Sequence, residues 1–125
     1  MPRRAIVLEP QRLFLSFICD AVEAGGAHVV LPMTTIDRKL IADLEPDLVY
    51  VDLDWLSAGP HVALGTLRHL APTARIIAQS SFTSEQLLRE GGADRVVGAD
   101  ATDVELRAMV WQLLYSGKLS SDGPI

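Results

Sequence analysis

The sequence predicts an α/β domain in which a five-stranded parallel sheet carries helices on both faces. Two observations point there. Short apolar, β-rich runs alternate with longer stretches whose apolar residues recur at helical spacing. Short connections join them, an alternation that implies right-handed β-α-β crossovers and a sheet between two helical layers. The second observation is Leu48-Val49-Tyr50-Val51, too short for a helix and apolar throughout, which reads as a strand buried on both faces. Asp52 and Asp54 follow at its C-terminal end, where open α/β sheets place their ligand crevice.

The elements follow in order. Ala5 to Leu8 form the first strand, and Pro10 after Glu9 suits the first turn of a helix, where its missing N–H is not needed. Leu13, Phe14, Phe17, Ile18, Ala21 and Val22 recur as that helix's buried stripe, and Gly25-Gly26 supply the left-handed residue that ends it. Ala27 to Leu31 is the second strand. Thr34 with Asp37 marks the start of the second helix, buried through Ile36, Leu40, Ile41 and Leu44 and ended by Pro46. Beyond the central strand and a Ser-Ala-Gly-Pro loop, Val62, Leu64, Leu67 and Leu70 carry a third helix that Pro72 closes.

Arg75 to Ala78 is the fourth strand, with Gln79, Ser80 and Ser81 at its C-terminal end. Thr83 with Gln86 opens a short helix through Leu87 and Leu88 that Gly91-Gly92 end, and Arg95 to Val97 form the fifth strand. Thr102 with Glu105 starts the last helix, whose stripe is Leu106, Met109, Val110, Leu113 and Leu114 and whose end is Gly117. The strand order 2-1-3-4-5, that of flavodoxin-like sheets, is the natural arrangement for five such units.

Composition narrows the function. With 125 residues, 49% hydrophobic and 22% charged, the chain has the make-up of one compact domain, and no apolar stretch approaches the roughly 20 residues a membrane span needs. The N-terminal apolar run is broken by Glu9 and Pro10, which makes a poor signal peptide. Cys19 is the one cysteine, so no internal disulfide or multi-cysteine zinc site exists, and a cytoplasmic location fits. A net charge of -5 without a basic stripe argues against direct nucleic-acid binding. His61 and His69 are eight residues apart, not at the i, i+4 spacing that presents two ligands to one metal, and read as surface imidazoles. Glu-Pro-Gln stands after the first strand where a dinucleotide-binding chain has its glycine-rich turn. An enzyme using the crevice would also lack a base and nucleophile pair at recognisable spacing, so no catalytic residue is assigned.

Pro46-Asp47-Leu48-Val49-Tyr50-Val51-Asp52-Leu53, together with Gly91-Gly92-Ala93-Asp94 before the fifth strand, resembles the receiver domain of two-component response regulators over nearly the whole chain. The resemblance implies that Asp52 is the phosphoacceptor and Ser80 the hydroxyl that senses the phosphoryl group. It also implies Mg2+ near Glu9 and Asp52, with Asp54 as a substitute ligand. Other positions depart from the family pattern. Pro10 stands where the second metal-binding acid belongs, Ala99 and Asp100 replace the lysine and proline after the fifth strand, Val96 replaces its aromatic residue, and Leu56 replaces a proline. Without the lysine and one metal ligand, little neutralises the charge that builds up during phosphoryl transfer. Glu9, Asp52 and Asp54 then converge with no fixed cation, and at least one of them is expected to titrate above its ordinary range.

The last helix has a second apolar face, Val104, Ala108, Trp111 and Tyr115, which the resemblance places on a common dimer or effector surface of receivers. The expected domain spans residues 1–116, with 117–125 as a tail or the start of a linker. The function expected is that of an atypical receiver in two-component or phosphorelay signalling. It would work mainly through contacts with a protein partner, a sensor kinase or an effector, or with a second copy. The alternatives are a conventional receiver phosphorylated on Asp52 with a divalent metal, and a small ligand-binding domain or enzyme.

Overall fold

The structure is a computed structural model that describes residues 3–56 and 58–116. Its elements are β1 (Arg3–Leu8), α1 (Arg12–Ala24), β2 (Ala27–Met33), α2 (Arg38–Leu44), β3 (Leu48–Asp52), α3 (Pro60–Leu70), β4 (Arg75–Gln79), α4 (Glu85–Glu90), β5 (Arg95–Val97) and α5 (Asp103–Trp111). A single 3-10 turn, Leu53–Trp55, follows β3, and a π-helical turn, Gln112–Ser116, extends α5. The sheet is parallel with order β2-β1-β3-β4-β5, as the alternation of elements requires.

Strand alternation divides the core into two layers. Ile6, Leu8, Val49, Val51, Ile76 and Ala78 face Ile41, Leu64, Leu67 and Leu88 of α2, α3 and α4. Ala5, Val7, Leu48, Tyr50, Ile77 and Val97 face Ile18, Ala21 and Val22 of α1 and Leu106 and Val110 of α5. The second layer decides where the chemistry lies. Glu9 continues the Ala5, Val7 series and Asp52 the Leu48, Tyr50 series, so both carboxyls point toward α1 and α5. Leu8 pairs with Val51 in the β1–β3 register, which sets Glu9 and Asp52 side by side one residue further on.

The close approach of α1 to α5 rests on Gly25. A Cβ there would lie 2.7 Å from Val110 Cβ and 2.8 Å from the Arg107 carbonyl oxygen. Gly26 follows with φ 107°, a conformation open to glycine at little cost. The Gly91-Gly92-Ala93-Asp94 turn is held by Arg68, whose guanidinium donates to the carbonyls of Ala74 and Gly92, each at 2.7 Å. Asp94 accepts from Ile76 N at 2.7 Å, fixing the entry to β5 against β4. Between Ala5 and Ile6 the pairing with β2 slips by one residue, and Pro32 lies opposite Val7 on the outer strand.

Several expectations are corrected. Leu13 is 85% exposed, Phe14 and Phe17 are half-exposed, and only Ile18, Ala21 and Val22 of that stripe are buried. The stripe marks a face of α1, but in the N-terminal half of the helix Phe14 and Phe17 line the cavity at the strands' C-terminal ends, and Leu15, outside the expected stripe, is partly buried against the core. Pro10 precedes α1, whose N-cap is Gln11. The second strand runs on to Met33, so α2 starts later and is capped by Asp37, which accepts from Leu40 N at 3.1 Å, rather than by Thr34. Likewise Ser84, not Thr83, caps α4. Leu40 and Val62 face water, and Ala63 takes the buried place beside Leu64 and Leu67. The capping box of Thr102 and Glu105 forms as expected. Gly117 and the tail 117–125 lie outside the described residues.

Candidate functional site

The C-terminal ends of β1, β3, β4 and β5 open into a cavity of about 390 Å³ between α1 and α5. Glu9 and Asp52 form its floor, each 1% exposed. The two carboxyls lie against one another closely enough to share a hydrogen bond, which requires a proton on one of the pair. Burial, reinforced by that bond and by the charges of Asp52 and Asp54, pushes Glu9 up to about 8. Asp52 is also raised, again chiefly by burial, although the bonds it accepts from Glu9 and from Asp54 N oppose the shift. The expected upward shift is therefore present, but loss of water, more than mutual repulsion, is its main cause.

Asp52 also accepts from Asp54 N at 3.0 Å, capping the 3-10 turn. Asp54 itself is turned across to β4. Both of its oxygens accept from Ser81 N, at 2.9 and 3.0 Å, which clasps the ends of β3 and β4 together. Beside it Tyr50 donates to Gln79 Oε1 at 2.5 Å, and burial among the three carboxyls raises its phenol above the usual range.

Sequence-inferred residues are brought together only in part. Glu9 and Asp52 meet, but Asp54 is committed to Ser81. Among the described residues no group of three His, Cys, Asp or Glu side chains is placed to hold a metal ion. Glu9, Asp52 and Asp54, the residues expected near Mg2+, are thus not gathered into one three-carboxylate cluster; Glu9 and Asp52 form an adjacent pair, and an ion held there would take the rest of its octahedral oxygen shell from water. Ser80 is buried, and its Oγ accepts from Phe82 N at 3.3 Å and Thr83 N at 3.2 Å within its own loop. Ser81 lines the cavity, while Ser80 does not.

The rest of the lining was not anticipated. Phe14 and Phe17 of α1 and Phe82 of the β4–α4 loop stand around the opening with much of their rings exposed, and Ala99 and Gly98 leave room opposite them. No Lys, Arg or His is among the residues lining the cavity. The signal that could have revealed it was the replacement of a long basic side chain by Ala99 together with three phenylalanines beyond what the core can bury.

On the outer face of α5, Val104, Ala108 and Trp111 are exposed, Trp111 by 54%. Tyr115 is partly covered by this chain. Its ring lies 4.5 Å from that of Trp111, its hydroxyl donates to the Gly26 carbonyl, and the Arg3 guanidinium carbon sits 5.9 Å from its ring centroid. His61 and His69 are exposed on α3, and Cys19 is a half-buried thiol raised by burial. Among the described residues no helix is long and apolar enough to cross a membrane.

No protein-family model matches the chain, and no curated protein matches it. Solved structures do. A DNA-binding response regulator of the LuxR family from Staphylococcus aureus superposes with a TM-score of 0.74 at 15% identity, over 89% of this chain and 98% of that one. A response regulator protein from Burkholderia pseudomallei, with a phosphorylated aspartic acid, calcium ion and citrate, gives 0.69 at 18% identity over 98% and 76%. A CheY-like protein, tadZ, from Pseudomonas aeruginosa gives 0.66 at 16% identity over 90% and 94%. The chain has the receiver-domain fold.

Proposed function

We propose that this chain is a receiver-like signalling domain of the two-component type in which Asp52 is a poor phosphoacceptor and communication runs through protein contacts. One observation carries the reading: Asp52 is buried beside a second buried acid, Glu9, in a cavity lined by no Lys, Arg or His. An acceptor carboxylate must be ionised and must meet an anionic donor whose accumulating charge is neutralised by a cation. Here the carboxylate is hydrogen-bonded to another acid, and Asp54 adds further negative charge. The surface that remains for signalling is the exposed face of α5, where Val104 and Trp111 offer the apolar anchors of an interface with a kinase, an effector or a second copy. A cytoplasmic location suits this role.

The conventional reading, phosphorylation of Asp52 with a divalent ion, draws support from the structural neighbour with a phosphorylated aspartic acid and calcium ion. It requires the Glu9–Asp52 pair to be ionised and a cation to offset their charge. Intact-protein mass measured after incubation with acetyl phosphate and Mg2+, with Asp52→Ala as the control, separates the two. Little or no phosphoryl adduct is expected; a stoichiometric adduct on the wild type that Asp52→Ala abolishes would establish the conventional receiver instead.

A further inference from the structure

We infer that the cavity between α1 and α5 binds a small organic cation, with an apolar body seated against Phe14, Phe17 and Phe82 and an amine head reaching Glu9 and Asp52. The volume of about 390 Å³ falls within the range of small-molecule sites, and its build, apolar walls around a few converging polar groups, is theirs too. Phe14 and Phe17 are three residues apart on α1 and so share one side of the opening. Their rings and that of Phe82 are left in water at the mouth, where the body of a ligand would cover them.

Charge selects the head group. Glu9, Asp52 and Asp54 are all in the lining and no basic side chain is, so an anion meets acids with no cation to offset them; beyond the bonds they accept from Gln11 N, Asp54 N and Ser81 N, the carboxyl oxygens keep acceptor capacity that an N–H head group uses and an apolar molecule does not. A bare metal ion answers the charge but finds no cluster of three ligands among the described residues, and it leaves the phenyl rings uncovered. An ammonium on an aromatic or aliphatic body satisfies both halves of the cavity. It gains charge-assisted hydrogen bonds at the floor and cation–π attraction at the wall.

The test needs neither a phosphodonor nor a protein partner, so it is independent of the signalling proposal. The isotope-labelled full chain is titrated with naphthylethylamine and with naphthylethanol, which share a ring system and differ in the head, while backbone amide resonances are followed. Saturable shifts confined to residues around the cavity are expected with the amine, and at least tenfold weaker binding with the alcohol. Glu9→Gln with Asp52→Asn should reduce amine affinity at least tenfold and leave the alcohol unchanged. Should that double variant fail to fold, Ala99→Lys, a change on an exposed loop that puts an ammonium at the mouth, should by itself abolish amine binding. No saturable shift, shifts elsewhere on the surface, equal affinity for the two probes, or indifference to these substitutions would overturn the assignment.

Discussion

At the scale of single residues, the proton held between Glu9 and Asp52 ties the site to stability. Glu9 rises from an ordinary 4.5 to about 8 on folding, so the folded state binds a proton that the unfolded chain has released. The resulting stabilisation is complete below about pH 4.5 and is lost as pH rises through about 8; Asp52, also raised, acts in the same direction. The urea midpoint is therefore expected to fall between weakly acidic and weakly alkaline solution. Glu9→Gln, which keeps an oxygen for Gln11 N and cannot lose a proton, should flatten that decline and exceed the wild type at pH 8.5. Parallel profiles for the two proteins would show that the proton lies elsewhere. Asp52 and Glu9 were legible in the sequence because each closes an apolar strand, and a strand's end and face follow from alternation alone. The tie of Asp54 to Ser81 was not, since its partners are distant in sequence and both looked like loop residues. Choosing between Ser80 and Ser81 likewise depends on how one loop turns.

At the scale of elements, periodicity identifies a face but not how far that face is covered. The stripe of α1 was legible from Leu13 to Val22, yet its first turns face the opening at the strand ends, and the phenylalanines there became cavity wall instead of core. Helix starts show a similar limit. Thr102 with Glu105 formed the capping box its spacing implied, whereas Asp37 and Ser84 displaced Thr34 and Thr83 because neighbouring acceptors compete and the backbone entry angle decides. The glycines give a clear contrast in packing. Gly25→Ala would drive a methyl into Val110 and the Arg107 carbonyl, and is expected to destabilise by about 1–3 kcal/mol. Gly65→Ala, within α3 and with open space around it, should instead stabilise by about 0.5–1 kcal/mol. Thermal unfolding of the two variants beside the wild type checks both signs.

At the scale of the whole molecule, the sheet order and the two-sided core follow from the alternation of elements, which is why the architecture could be read before any contact was known. The outer face of α5 is where an association between molecules is expected to show. Sedimentation velocity over a range of concentrations should reveal reversible self-association of the wild type that Trp111→Ala removes, since a half-exposed indole beside Val104 is the natural anchor. Identical monomeric profiles for both proteins would leave that face without a homotypic role.

The register slip in β2, with Pro32 two residues beyond it, bears on the same question from the sheet margin. An outermost strand normally offers a row of free amide and carbonyl groups that invites a foreign strand to zip on. Here β2 contains a residue with no amide hydrogen and a distorted ladder, and β5 at the other margin is only three residues long. Continuous hydrogen-bonded growth of the sheet from one molecule into the next is thereby disfavoured at both margins, which leaves side-chain surfaces as the better-built places of contact.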